Sequence, residues 1–232
     1  MAKVLVVGIN YLPELTGIGK FTGEMAEGLA SRLAGHVGML KVGLELFWAA
    51  GPEVVQRLAS HGPVFADAKL HDIPNTVERA SANIARLGVR MLNVHALGGE
   101  QMMRAARSGA DRGAIEAGLP APLVLAVTVL SSQSGEGLAS PASLAFEAKT
   151  SGLDGVVVSG EDVGEVRAVC GDEFCLVVPG IRPAGTNGHD QVRILTPAAA
   201  IESGADYIVV GRPITVADDP VGVARAILRE AG

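Results

Sequence analysis

Short apolar runs alternate with amphipathic stretches along the whole chain, and this pattern predicts strands that alternate with helices. Eight of the runs are predicted to be strands: Val4–Ile9, Val37–Gly43, Pro63–Lys69, Val89–His95, Leu123–Leu130, Gly155–Ser159, Phe174–Gly180 and Tyr207–Gly211. Most are continuously apolar, which is typical of parallel strands that are covered on both faces. The pattern therefore predicts a parallel sheet with helices packed against it.

Segments with helical spacing of apolar residues lie between these runs. They include Pro52–Ser60, Val77–Leu87, Gln101–Ala117 and, at the end of the chain, Val221–Glu230. Eight βα units in succession predict an α/β fold, a (β/α)8 TIM barrel, with a doubly wound open sheet as the alternative. No linker or low-complexity tract interrupts the units, so we expect residues 1–232 to form a single barrel domain.

The composition narrows the possible function classes. The chain has 232 residues, of which 48% are hydrophobic, and a net charge of −6. This is enough apolar material for a full core, and the negative charge argues against a nucleic-acid or membrane-surface binder. The sequence shows no signal-peptide pattern and no apolar run near the roughly 18 residues that span a bilayer. We expect a soluble cytoplasmic protein that binds neither nucleic acid nor membrane.

The segment FADAKLHDIPNT carries the most chemical information. Asp67 and Lys69 are two residues apart on a predicted strand, so their side chains point to the same side. A surface ion pair is one interpretation. The other is a preorganised array in which Asp67 and Asp72 favour the charged form of Lys69 and make it a proton donor. Lys41 on the preceding strand would add a second cation, and such alternating charges suit a reaction in which negative charge develops within the substrate.

Two glycine–arginine loops follow the last two predicted strands. The seventh strand is followed by Gly180, Ile181 and Arg182, and the eighth by Gly211 and Arg212. In barrels the loops at these places often hold phosphate through backbone N–H groups. Glycine permits close approach of the backbone, and arginine offers a bidentate fork to phosphate oxygens. Ordinary turns are the alternative, but two such loops on neighbouring strands predict a phosphate site.

From about residue 33 to the C-terminus, the chain resembles bacterial orotidine 5′-phosphate decarboxylases. The resemblance rests on the segments LKVGLELF, FADAKLHDIPNTV, LNVHALGG, AVTVLSS, VVPGIRPAG, DQVRILTP and VVGRPIT, in that order. It implies decarboxylation of orotidine 5′-monophosphate (OMP) to UMP in pyrimidine biosynthesis. It further implies a homodimeric barrel that uses neither an organic cofactor nor a metal.

The resemblance also implies roles for individual residues. Lys69 would protonate C6 of the pyrimidine as carbon dioxide leaves, and Asp67 would lie beside the departing carboxylate. Lys41 would complete the charged array and contact the ribose. Asp72 and Thr76 would reach into the site of the partner subunit.

Further positions are implied to bind the nucleotide. Ser131 keeps the hydroxyl that the family uses at the pyrimidine, and Gln191 fits the loop that closes over the substrate. The implied substrate-binding set is Asn10, Lys41, Asn75, Thr76, Ser131, Arg182, Gln191, Gly211 and Arg212.

The first βα unit, at about residues 1–32, departs from the family pattern. The family's first strand ends in an Asp that holds the ribose hydroxyls, whereas here the nearest candidate is Asn10. The segment Gly8–Ala30 instead resembles the start of a family 4 glycosyltransferase. We expect a strand–loop–helix unit of this kind to complete the barrel but to weaken substrate binding. Two alternatives stay open: a catalytically impaired OMP- or UMP-binding barrel, and a related sugar-phosphate decarboxylase.

Overall fold

Eight parallel strands close into a barrel in a computed structural model that describes residues 4–9, 19–129, 139–183 and 195–232. The strands are β1 (Val4–Ile9), β2 (Met39–Gly43), β3 (Val64–Leu70), β4 (Met91–His95), β5 (Leu123–Val127), β6 (Gly155–Val157), β7 (Cys175–Val178) and β8 (Tyr207–Val210). Each strand pairs with the next in sequence, and β1 also pairs with β8. This closure confirms the predicted (β/α)8 barrel and excludes the open sheet.

Helices connect the strands as predicted. They are α1 (Gly19–Leu33), α2 (Leu44–Ala50), α3 (Glu53–Ala59), α4 (Pro74–Ala85), α5 (Gly99–Ala117), α6 (Pro141–Thr150), α7 (Val163–Cys170), α8 (Pro197–Glu202), α9 (Arg212–Thr215) and α10 (Pro220–Ala231). Several of them begin with proline, whose missing N–H removes no intrahelical hydrogen bond in the first turn. Within the described ranges, no helix is long and apolar enough to cross a membrane.

The strands bury apolar side chains on both faces. One cluster lies between the strands and the surrounding helices. A second cluster fills the inside of the barrel and consists of Val6, Met39, Phe65, Met91, Leu125, Val177 and Val209, with partly buried neighbours. Because strand side chains alternate between faces, the residue two positions further along each strand also points inward. The interior therefore continues from this apolar layer towards the carboxyl ends of the strands.

The first βα unit occupies its regular place in the barrel. Within β1, Val6 lies in the interior cluster and Val7 in the outer one. Helix α1 buries Ala26, Ala30 and Leu33 and packs against α2, α3 and α10. Strand β1 and helix α1 thus contribute apolar side chains to both clusters of the barrel.

Two glycines on α5 allow a close approach to α4. A methyl group at Gly109 would overlap the backbone carbonyl oxygen of Glu78, and one at Gly113 would overlap that of Ala82. Since α4 starts at Pro74, within the segment FADAKLHDIPNT, this contact also holds in place the helix that follows the charged residues of that segment.

We predict that Gly109→Ala destabilises the protein by about 1–3 kcal/mol, because overpacking moves the α4 backbone. Gly28→Ala is the matched control, since an added methyl on this exposed face of α1 meets no atom within 4 Å. It should stabilise α1 by up to about 1 kcal/mol. Urea unfolding measures both free energies, and equal effects of the two substitutions would contradict the packing argument.

Candidate active site

The carboxylate of Asp67 lies between two ammonium groups. Lys41 Nζ donates to Asp67 Oδ2 at 2.7 Å, and Lys69 Nζ donates to Asp67 Oδ1 at 2.5 Å. The side chains of Lys41 and Asp67 are each 11% exposed, whereas that of Lys69 is 29% exposed. Lys69 is therefore the cation of this cluster that is more open to a ligand.

Strand register brings these residues together. Lys41 lies on β2 opposite Phe65 of β3, and Gly43 lies opposite Asp67. On the other side, Lys41 lies opposite Gly8 of β1. A Cβ at Gly8 would be 3.2 Å from Lys41 Cε. The absence of a side chain at this position leaves room for the lysine to reach the carboxylate.

Asn93 on β4 is a further member of the cluster, and the sequence analysis missed it. Its Nδ2 donates to Asp67 Oδ1 at 2.7 Å, and its Oδ1 accepts the backbone N–H of Lys69 at 2.7 Å. The side chain is completely buried. The available signal was a lone amide between two apolar residues of the strand, two residues after the inward-facing Met91.

The backbone of Lys69 is unusual. Its φ of +47° is the only positive value at a non-glycine residue in the described part of the chain. The pairing of β3 with β4 also shifts register between Ala66 and Leu70. A left-handed conformation costs a lysine roughly 1–2 kcal/mol, and such strain persists only where surrounding contacts hold it.

The charge of Asp67 is fixed by its neighbours. Burial raises the pKa of this carboxyl, but the charges of Lys41 and Lys69 and their hydrogen bonds lower it by more. The resulting pKa of Asp67 lies far below its ordinary value. The carboxylate therefore stays ionised across the neutral pH range.

Two histidines lie beside the cluster. The rings of His71 and His95 have centroids 5.4 Å apart. Burial lowers the pKa of His95, and the nearby His71 and Lys69 lower it further. The ring of His95 is thus predominantly neutral at about pH 7.

Asp72, Asn75 and Thr76 follow β3 at the same end of the barrel, and all three are exposed. Asp72 Oδ1 accepts the backbone N–H of Ile73 at 2.7 Å. Among the described residues, no hydrogen bond or ion pair joins Asp72 to Lys69. Asn75 and Thr76 lie in the first turn of α4. Within one chain, the charged array thus contains Lys41, Asp67 and Lys69, and the role of Asp72 stays a prediction.

The candidate phosphate loops follow β7 and β8, which are neighbours in the barrel. Arg182 is buried, and its side-chain Nη1 donates to the carbonyl oxygen of Ile181 at 2.9 Å. The backbone N–H of Arg182 donates to the carbonyl oxygen of Leu195 at 3.0 Å. Gly211 precedes the short helix α9, whose first residue is the exposed Arg212. Three further candidates, Asn10, Ser131 and Gln191, lie outside the described residues.

Comparison with known proteins gives consistent results. The family model described as "Orotidine 5′-phosphate decarboxylase / HUMPS family" matches residues 4–227 and so includes the first βα unit. The chain is 48% identical to the orotidine 5′-phosphate decarboxylase of Moorella thermoacetica, with 88% of this chain and 86% of the relative covered. It is also 48% identical to that of Syntrophotalea carbinolica, with 90% of each covered.

A solved structure shows the same likeness. The crystal structure of orotidine 5′-phosphate decarboxylase from Lactobacillus acidophilus is 37% identical in sequence. It superposes with a TM-score of 0.82 over 99% of both chains. The likeness therefore extends over the whole barrel.

We predict that Asp67→Asn lowers the free energy of unfolding by about 3–5 kcal/mol at neutral pH, because the nearly buried ammonium group of Lys41 and the partly exposed one of Lys69 lose their shared counter-charge. The depressed pKa of Asp67 means that its stabilisation is complete above the unfolded-state pKa of about 3.9 and is lost as pH falls towards the folded-state value. The difference between variant and wild type should therefore shrink below about pH 4. Urea unfolding at neutral and at acidic pH measures it.

Asp218→Asn removes the same charge at an exposed position and serves as the control. It should change stability by no more than about 0.5 kcal/mol. A loss at Asp67 as small as that at Asp218 would show that the ion cluster does not stabilise the fold.

Proposed function

Because the chain belongs to the orotidine 5′-phosphate decarboxylase / HUMPS family, it decarboxylates OMP to UMP in pyrimidine biosynthesis, and we propose that Lys69 supplies the proton. The observation that carries this assignment is the ion cluster in which Lys69 and Lys41 share the carboxylate of Asp67. In a (β/α)8 barrel, residues near the carboxyl ends of the strands are those that bind and transform substrates.

In the proposed step, the bond between C6 and the carboxylate of OMP breaks and carbon dioxide leaves. The electron pair of that bond stays on C6 and takes a proton from Lys69 Nζ, which becomes a neutral amine. Solvent then returns a proton to Lys69. This role is supported by the position of Lys69 Nζ, which is hydrogen-bonded to a carboxylate yet partly exposed.

Asp67 would act on the substrate before the bond breaks. Its carboxylate stays ionised because Lys41 and Lys69 hold its pKa far below the ordinary value, even though burial opposes this. Beside the negative carboxylate of OMP it would raise the energy of the bound substrate, and the repulsion would end when neutral carbon dioxide forms. Lys41 would balance part of this charge and contact the ribose.

The phosphate of OMP would be held at the loops after β7 and β8, remote from the bond that breaks. We propose that the phosphate is bound by Arg182, Arg212, Gln191 and the backbone at Gly211. Binding energy gained there can be used to desolvate and orient the reacting carboxylate. The remaining proposed nucleotide contacts are Asn10, Asn75, Thr76 and Ser131.

We also propose that the enzyme is a homodimer in which Asp72 and Thr76 complete the site of the partner. Support comes from exposed apolar side chains at the same end of the barrel. Leu44 and Trp48 follow β2 and Ile73 follows β3, and Trp48 is 80% exposed. Apolar side chains exposed in this way mark interaction surfaces. Ile73 is adjacent to Asp72, so burial of Ile73 between the subunits would place the Asp72 carboxylate at the subunit interface.

The proposed location is the cytoplasm. Cys170 and Cys175 are free thiols, as expected in a reducing compartment.

Burial is the main cause that raises the pKa of the Cys175 thiol to about 12, so this side chain is not a nucleophile at neutral pH.

We predict that Lys69→Ala lowers kcat by at least 10²–10⁴-fold, roughly the contribution of a positioned general acid. The decrease of OMP absorbance with purified protein measures turnover. Lys149→Ala is the control, because Lys149 lies on α6 and donates to the carbonyl oxygen of Cys170, outside the ion cluster. It should leave kcat nearly unchanged. Substantial turnover by Lys69→Ala would exclude the proposed proton donor.

Mixing inactive variants tests the contribution of Asp72 across the interface. If each site combines Lys69 of one chain with Asp72 of the other, a mixed dimer of Lys69→Ala and Asp72→Ala contains one intact site. Random exchange makes half of the dimers mixed, so about a quarter of wild-type activity should return. A mixture of Lys69→Ala and Asp67→Ala should regain none, because both residues serve the same chain's site. Absence of recovery in the first mixture would place Asp72 outside the partner's site.

A further inference from the structure

The amide of Asn93 is completely buried, and both of its ends are used. Only the nitrogen can donate to the Asp67 carboxylate, and only the oxygen can accept the N–H of Lys69. The two hydrogen bonds, each 2.7 Å long, therefore define a single orientation of the side chain. Asn93 is thus bonded to the backbone of one member of the ion pair and to the side chain of the other.

This arrangement coincides with a bulge in β3. Ala66 lies opposite Leu92 and Leu70 lies opposite Val94, so three residues of β3 lie between these pairs where β4 has only Asn93. Lys69 lies in this stretch with its left-handed φ, and its backbone N–H is bonded to the Asn93 side chain instead of to a β4 carbonyl. An extra-residue bulge of this kind re-aims the side chain that it carries.

We propose that Asn93 is a positioning residue that fixes the bulged backbone of Lys69 and the Oδ1 atom of Asp67 at the same time. The proposal rests on the function of Lys69 as the proton donor. Through one amide, Asn93 sets the direction from which the ammonium group approaches the carboxylate and hence where it points when the substrate is bound. Without the amide, the strained backbone of Lys69 loses its acceptor and the carboxylate loses a donor.

Asn93 does not serve as a substrate contact, because no part of its surface is exposed. Its removal should therefore act on the chemical step and leave the binding of the nucleotide largely intact. Misplacement of a catalytic group by about 1 Å costs on the order of 10²-fold in rate. We accordingly expect Asn93→Ala to lower kcat by roughly 10–100-fold and to change KM by less than about threefold.

Asn93→Asp provides a test with a distinct pH signature. Its carbonyl oxygen can still accept the N–H of Lys69, but only the protonated acid can donate to Asp67. Burial and the Asp67 carboxylate raise the pKa of the introduced carboxyl, whereas Lys41 on β2 and Lys69 on β3 lower it. His95 on β4 and His71 after β3 also lie beside the cluster. The ratio of variant to wild-type kcat should increase as pH falls.

The experiment measures kcat and KM for wild type, Asn93→Ala and Asn93→Asp between about pH 5 and pH 9. For Asn93→Ala, the ratio to wild type should be low and independent of pH. For Asn93→Asp, it should be low at the alkaline end and recover at the acidic end. Using the ratio removes the titration of the substrate phosphate, which affects all variants equally.

Met91→Ala is the matched structural control. Met91 lies two residues earlier on β4, in the apolar layer inside the barrel, and its truncation should destabilise the protein by leaving a cavity there. Like the Asn93 variants it can lower stability, but the pH dependence of its kcat should follow that of wild type, unlike that of Asn93→Asp.

Wild-type kcat in Asn93→Ala, or a ratio in Asn93→Asp that decreases as pH falls, would overturn the positioning role. Lys69→Ala, assayed in parallel, distinguishes this from failure of the proposed function. If Lys69→Ala is inactive while the Asn93 variants behave like wild type, only the inference about Asn93 is wrong. If Lys69→Ala is active, the proton donor itself has been misassigned.

Discussion

Burial of the Asp67 carboxylate is the constraint on which the rest of the site depends. A carboxylate that is removed from water is tolerated only when opposite charges and hydrogen-bond donors compensate its lost hydration. Here the compensation comes from Lys41 on β2, from Lys69 on β3 itself and from Asn93 on β4. One carboxylate thus ties together three adjacent strands. The same charge that stabilises this arrangement is the charge proposed to act on the substrate.

The barrel makes this burial possible by layering its interior. Met39, Phe65 and Met91 form part of the apolar layer, and the next inward position on each of their strands is polar. The apolar layer keeps water away from the inner side of the polar layer. The lower local dielectric strengthens each electrostatic contact within the polar layer. The ion cluster therefore faces solvent mainly through Lys69, the residue proposed to meet the substrate.

The position of Lys69 shows how local strain is linked to function. A lysine in the left-handed region is unfavourable by itself, and the register shift beside it interrupts the regular ladder. Both are compensated by contacts from the neighbouring strand and by the ion pair with Asp67. A strained residue held in this way is preorganised, so less reorganisation is needed when the reaction occurs. The strain at Lys69 thus adds a structural argument to the proposal that this residue supplies the proton.

The sequence by itself determined the eight strands, their parallel arrangement and the placement of Lys41, Asp67 and Lys69 near strand ends. These features follow from local periodicity, since a spacing of two residues fixes the face of a strand and continuous apolar runs indicate burial on both faces. The resemblance in the same segments supplied the reaction. Only the tertiary structure decided the rest: the bulge at Lys69, the hydrogen bonds of Asn93 and the hydrogen bond that the Asp72 carboxylate accepts from the backbone N–H of Ile73. The first two depend on register between strands far apart in sequence, and the last on how the loop after β3 folds, so no local pattern of residues encodes them.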